Sequence, residues 1–117
     1  MSSWALVTGA TAGIGESFSR LLAANRYNLV LVARNQTQLQ LLAQELQQKY
    51  DVQVMVCVKD LSKTNQVNEL ITELNNTPIS YLINNAGFGE FGAFNETTWQ
   101  KHKSSYSTTA ATWSPTL

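Results

Sequence analysis

A single cysteine, a single histidine, two prolines and no excess charge of either sign deprive this 117-residue chain of several common functional devices. Cys57 has no partner for an internal disulfide. Its place in an apolar run makes it core filler rather than a nucleophile, in keeping with a cytoplasmic, reducing setting. His102 has no Cys, Asp or Glu at ligand spacing, so a metal site finds no support. Eight basic and eight acidic side chains cancel, which leaves no electrostatic footprint for nucleic acid or an anionic membrane. No apolar stretch approaches the ~20 residues that span a bilayer, and the N-terminus lacks a basic region followed by a long apolar core. The length gives room for one domain, and no internal repeat or evident linker interrupts it.

What is present begins with glycine. Thr8-Gly9-Ala10-Thr11-Ala12-Gly13-Ile14-Gly15 follows the apolar run Ala5-Leu6-Val7, which predicts a glycine-rich turn between a buried strand and an amphipathic helix. Such a turn aims backbone N–H groups and the positive end of a helix dipole at one point, where a pyrophosphate is held. Each glycine has its own task. Gly9 permits the sharp exit from the strand, Gly13 lets the backbone approach a phosphate oxygen, and Gly15 lets the helix pack closely on the sheet. Ala10, Thr11 and Ala12 are small enough to keep the mouth open. Taken alone, the spacing also fits an ordinary strand-to-helix turn, so the flanks decide.

Phe18, Leu21, Leu22 and Ala23 recur with helical period and predict the apolar face of the first helix. Leu29 to Ala33 is a continuous apolar run, as expected of a strand covered on both faces in a parallel sheet. Strand, turn, helix and strand make one βαβ unit with a right-handed crossover. Leu39, Leu42, Ala43 and Leu46 mark a second helix whose glutamines face solvent. Val52 to Val58 reads as a third strand, Val67, Leu70, Ile71 and Leu74 as a third helix closed by Pro78, and Ile79 to Ile83 as a fourth strand. The fold class is therefore α/β, a parallel sheet of about four strands with flanking helices.

Three further positions bear on a ligand. Arg34 ends the second strand, where dinucleotide folds place the residue that reads the adenosine ribose. An acid there would bind the ribose hydroxyls, whereas arginine pairs with a 2′-phosphate and favours NADP(H) over NAD(H). The other reading is a solvated surface charge. Asn35 could add a hydrogen bond to the same phosphate. Asp60 lies just past the third strand and either accepts a hydrogen bond from the adenine amine, with Leu61 packed against the ring, or caps the next helix, a task open also to Ser62. Asn84-Asn85-Ala86-Gly87 ends the fourth strand with small residues that let the backbone pass close to a flat ligand, and with amides that can tie neighbouring strands together.

Thr8 to Gly15, Asp60, and Asn84 to Gly87, in that order and spacing, resemble the short-chain dehydrogenase/reductase family from Leu6 to about Lys103. Thr-Gly-x-x-x-Gly-x-Gly is that family's glycine pattern. The resemblance implies a partial Rossmann fold, a doubly wound parallel sheet of about four strands in the order 3-2-1-4 that carries NADP(H), and hydride transfer between nicotinamide and a carbonyl or alcohol. It places Gly9, Thr11, Ala12, Gly13, Ile14 and Gly15 around the phosphates and Arg34 at the 2′-phosphate. Asp60 and Leu61 fall at adenine, and Asn85, Ala86 and Gly87 beside the adenosine and ribose.

The same family uses a serine and a Tyr-x-x-x-Lys pair, in which i and i+4 share a helix face and the ammonium favours phenolate. No such pair occurs here. Tyr27 is followed at that spacing by Leu31, Tyr50 by Val54, Tyr81 by Asn85 and Tyr106 by Ala110. Tyr106 with Ser104 and Ser105 reads as loop or frayed helix, so no catalytic residue is assigned. Residues 1–103 read as the N-terminal half of an NADP-binding domain. Residues 104–117 read as an atypical tail rich in serine, threonine and alanine, without a fifth strand, as a frameshift or premature stop in a full-length reductase gene would produce. A fourth strand left at an apolar edge predicts self-association through that edge. The expected partners are thus a dinucleotide, a small carbonyl or alcohol substrate only in a full-length form, and a second copy of the chain.

Overall fold

The computed structural model describes residues 3–11 and 13–84, and the backbone of residues 109–112. Along the chain run β1 (Trp4–Thr8), α1 (Gly13–Ala24), β2 (Asn28–Ala33), α2 (Gln36–Tyr50), β3 (Val54–Val58), α3 (Thr64–Glu73), β4 (Ile79–Asn84) and β5 (Thr109–Thr112). The strands form one sheet in the order β3-β2-β1-β4-β5, and all four pairings are parallel. The expected 3-2-1-4 order is therefore present. Because every strand points the same way, all carboxyl ends lie along one margin of the sheet.

Alternation along the strands divides the core. Leu6, Val30, Val32, Cys57 and Leu82 face Val67, Leu70 and Ile71 of α3. Ala5, Val7, Leu29, Leu31, Ala33 and Ile83 lie on the opposite side, in one cluster with Ala23 of α1 and with Leu39, Leu42 and Leu46 of α2. With helices on both faces, β2 is buried at all six positions, which explains its unbroken apolar sequence.

The helices show why periodicity located them and where it misled. On α2 the expected Leu39, Leu42, Ala43 and Leu46 are the buried residues, and on α3 Val67, Leu70 and Ile71 are buried, with Leu74 at the C-cap fully so. On α1 the buried residues are Gly15, Ser19 and Ala23, while Leu21, expected on the inner face, is 58 % exposed. Small residues spaced four apart let α1 lie close to the sheet, which rotates Leu21 outward. The helix then ends through Arg26, whose φ of 68° is left-handed, as the N–H of Tyr27 bonds back to the Leu22 carbonyl at 3.1 Å. Asn35 caps α2, its side chain accepting the Gln38 N–H at 3.0 Å.

Two expectations at the sheet's margins are corrected. The third strand begins at Val54, not Val52, although Val52 is still buried. The fourth strand is not an edge. β5, inside the stretch read as strandless tail, pairs with it from Tyr81↔Thr109 to Asn84↔Thr112, so the basis for self-association through β4 is removed. Thr-Ala-Ala-Thr carries no apolar run to announce a strand. The row of backbone donors and acceptors along β4 supplies what the side chains do not.

Candidate functional site

In an open parallel sheet, ligands bind beyond the carboxyl ends of the strands, at the point where strand order reverses. Here that point lies between β1 and β4, since β2 and β3 extend to one side of β1 and β4 and β5 to the other. The glycine turn leaves β1 at this position. Gly9 and Gly13 have φ of 63° and 33°, the left-handed region that side chains disfavour. Among the described residues, a Cβ added to Gly13 would meet nothing within 4 Å. Backbone conformation therefore demands glycine there, and the space in front of it is open to a ligand.

The turn is anchored from beneath. The Ala10 N–H donates to the Val32 carbonyl at 3.1 Å, and Ala10 is fully buried. It belongs to the core rather than to the mouth of the turn, which corrects its expected place. Gly15 is buried in the first turn of α1, where its carbonyl accepts the Ser19 hydroxyl at 2.8 Å. Thr11 and Ile14 are half-buried around it. The N–H groups of a helix's first turn have no partners within the helix, so this one presents donors at the switch point. Across it, the Thr8 hydroxyl donates to Asn84 Oδ1 at 2.8 Å, so Asn84 ties β1 to β4 as the asparagine pair suggested. Ala12, Asn85, Ala86 and Gly87, together with Tyr106 and its serines, lie outside the described residues.

Arg34 follows β2 and Asp60 follows β3, and the adjacent strand ends bring them to one cavity of about 220 Å³, lined also by Val58, Lys59 and Gln66. The Lys59 N–H bonds to the Ala33 carbonyl at 3.1 Å and fixes this end of the β2–β3 pair. Asp60 Oδ1 accepts both the Ser62 hydroxyl, at 2.6 Å, and the Ser62 N–H, at 3.1 Å. These bonds hold the Asp60 carboxyl below its ordinary pKa, with Arg34 adding a smaller attraction, so the cavity pairs a fixed anion with a cation. Asp60 and Ser62 are not the helix cap, because the N-cap position of α3 falls to Lys63, which makes no side-chain cap bond.

Leu61 requires a correction. It is 0 % exposed, packed in the core cluster of α3, and has no surface to offer a ring. Val58, 42 % exposed, supplies the apolar wall of the cavity instead. Asn35 gives its side-chain oxygen to the α2 cap, which leaves its amide N–H groups, the donors that a 2′-phosphate would take. Lys59 and Gln66 escaped the sequence reading. The Lys59 ammonium is bound to Glu69 at 3.1 Å and to Glu73 at 2.5 Å, leaving its side chain 13 % exposed. The Glu73 and Glu69 carboxylates raise its pKa, and its charge is committed to α3.

A second cavity of about 220 Å³ lies between α1 and α2, from Thr11 to the ion pairs of Arg20 with Glu16 and Glu45. Size does not separate the two. Position does, since the Arg34 cavity sits at the strand ends. Among the described residues no helix is long and apolar enough to cross a membrane, and none form a metal-binding cluster.

Known proteins share this fold. Over 87 residues the chain is 42 % identical to a very-long-chain 3-oxoacyl-CoA reductase of Lodderomyces elongisporus, covering 73 % of this chain and 25 % of that protein. Its fold matches the bulky-bulky ketone specific alcohol dehydrogenase of Comamonas testosteroni with a TM-score of 0.69 and 36 % identity, over 81 % of this chain and 40 % of that one. An alcohol dehydrogenase of the archaeon Thermococcus sibiricus, solved with 5-hydroxy-NADP, matches with a TM-score of 0.71 and 32 % identity, over 87 % and 46 %. The chain thus spans a quarter of the length of the yeast reductase. The short chain dehydrogenase profile matches residues 3–111, past the end of the motif resemblance and into β5. With that match over nearly its whole length, the chain belongs to the short-chain dehydrogenase family.

Proposed function

We propose that this chain carries the dinucleotide-binding part of an NADP(H)-dependent oxidoreductase acting between a carbonyl and an alcohol. One observation carries the reading: Arg34 and Asp60 share a cavity at the strand ends, beside a turn whose Gly13 leaves open space for a ligand. The Thermococcus relative, solved with 5-hydroxy-NADP, supports the choice of cofactor. When bound, NADP(H) supplies or accepts the hydride.

The chain's own residues bind and orient. Backbone N–H groups around Gly9, Thr11, Ala12, Gly13, Ile14 and Gly15 hold the pyrophosphate. The Arg34 guanidinium pairs with the 2′-phosphate, and Asp60 accepts from the adenine amine. Asn85, Ala86 and Gly87 complete the adenosine and ribose side. In this reading residues 1–103 form the N-terminal half of the binding domain, and the setting is cytoplasmic.

A second reading is favoured by the missing Tyr-x-x-x-Lys pair: a dinucleotide-binding chain without turnover of its own. Titration of the purified chain with NADPH, followed by nicotinamide fluorescence, tests binding, and consumption of NADPH with a ketone tests turnover. Binding with turnover supports the first reading and binding without it the second. No binding at millimolar cofactor contradicts both.

A further inference from the structure

Gln66 is the third residue of α3, and its side chain reaches back to take the Asp60 N–H on Oε1 at 2.6 Å. Only the oxygen of an amide accepts a hydrogen bond, so this contact fixes which way the group points. Its nitrogen is left with two N–H donors, and among the described residues no acceptor takes either. Asp60 shows the converse. Both bonds from Ser62 end on Oδ1, and among the described residues Oδ2 accepts none.

Both residues line the Arg34 cavity, so one wall offers a donor close to an acceptor. The ligand edge that answers them has an acceptor beside a donor. Adenine has that edge on either side of its 6-amine, with ring nitrogen N1 or N7 as the acceptor. Hypoxanthine and guanine meet the same pair one position over, with O6 as acceptor and N1–H as donor, so the wall fits a purine edge and the proposed NADP(H) site makes that purine adenine. The other side-chain donor beside Asp60 is committed elsewhere, since the Lys59 ammonium is held by Glu69 and Glu73. Arg34 is required at the phosphate.

We propose that Gln66 reads the adenine base, its amide nitrogen donating to a ring nitrogen while Asp60 Oδ2 accepts from the 6-amine. This rests on the proposed NADP(H) site and adds a specificity-determining residue to it. Gln66 is set for the task by the backbone N–H of the residue it works with, so donor and acceptor hold a fixed spacing before any base arrives.

The test uses NADPH and its 1-deazaadenine and 7-deazaadenine analogues, each lacking one ring nitrogen and keeping the amine. One of the two binds the wild-type chain roughly fivefold more weakly than NADPH, the size of one net hydrogen bond. That loss disappears in Gln66→Met, whose side chain has similar length and no donor. A purely structural Gln66 would weaken all three cofactors together and leave their ratio unchanged. If the Met variant does not fold, Gln66→Glu keeps an oxygen for the Asp60 N–H and gives the same ratio test. The proposal is overturned if both analogues bind the wild type as tightly as NADPH, or if the loss persists in the variants. Absence of any NADPH binding would bring down the cofactor site and this role with it, whereas tight binding with flat ratios would remove this role alone.

Discussion

The Thr8 hydroxyl donates to Asn84 Oδ1 at 2.8 Å across the carboxyl ends of β1 and β4, and the two residues are 0 % and 3 % exposed. The bond crosses the place where strand order reverses, so it braces the rim from which the glycine turn departs. Thr8→Val keeps the shape and leaves a buried oxygen without its donor, which costs about 1–3 kcal/mol. Thr8→Ser restores the hydroxyl and recovers most of that loss. Urea denaturation of the three chains checks it, and equal midpoints would remove the bracing role.

Leu61 and Leu21 exchange the places their sequence contexts suggest. Leu61→Ala opens a cavity in the α3 cluster and costs about 2–5 kcal/mol. Leu21→Ala, on the outer face of α1, changes stability by less than ~0.5 kcal/mol. Denaturant midpoints rank them. A mild Leu61→Ala would show that the side chain is not in the core.

Cys57 is 3 % exposed, and burial, reinforced by Glu73, pushes its thiol up to about 11 from 9.0. The folded state therefore prefers the neutral thiol. Stability from this preference is full below the unfolded value of 9.0 and is lost as pH rises through about 11. Cys57→Val flattens that alkaline decline in denaturation measured from pH 8 to 11. At pH 8 the native thiol reacts with a disulfide reagent on the order of 100-fold more slowly than the unfolded one. Equal rates would contradict its burial.

Much of this fold was legible because its strongest signals are local. Six buried positions in β2 announce a strand covered on both faces, and the Leu39 to Leu46 spacing announces one helix face. The rest depended on partners distant in sequence. The inner stripe of α1 is Gly15, Ser19 and Ala23, residues that a search for large apolar side chains passes over. β5 is specified by the edge of β4 rather than by Thr-Ala-Ala-Thr. At the site, the ends of β2 and β3 put Arg34 and Asp60 in one cavity, as their positions after apolar runs suggested. The position after Asp60 suggests that Leu61 meets the ring, yet in the turn after β3 its side chain packs into the core cluster of α3. Gln66 gave one faint signal, a glutamine at the third position of a helix, where capping boxes place Glu or Gln. With Lys63 at the N-cap, the Ser or Thr half of that pattern was missing.

Recognition of a 2′-phosphate by Arg34, on which the proposed NADP(H) site rests, is tested by the ratio of NADPH to NADH affinity in the wild type and in Arg34→Ala. With Arg34 at the 2′-phosphate, the wild type prefers NADPH clearly. Arg34→Ala then loses on the order of 10- to 100-fold in NADPH affinity, the size of a charge-assisted hydrogen bond, with NADH binding unchanged. Equal wild-type affinities for the two cofactors, or NADPH binding unaltered in Arg34→Ala, would contradict that recognition.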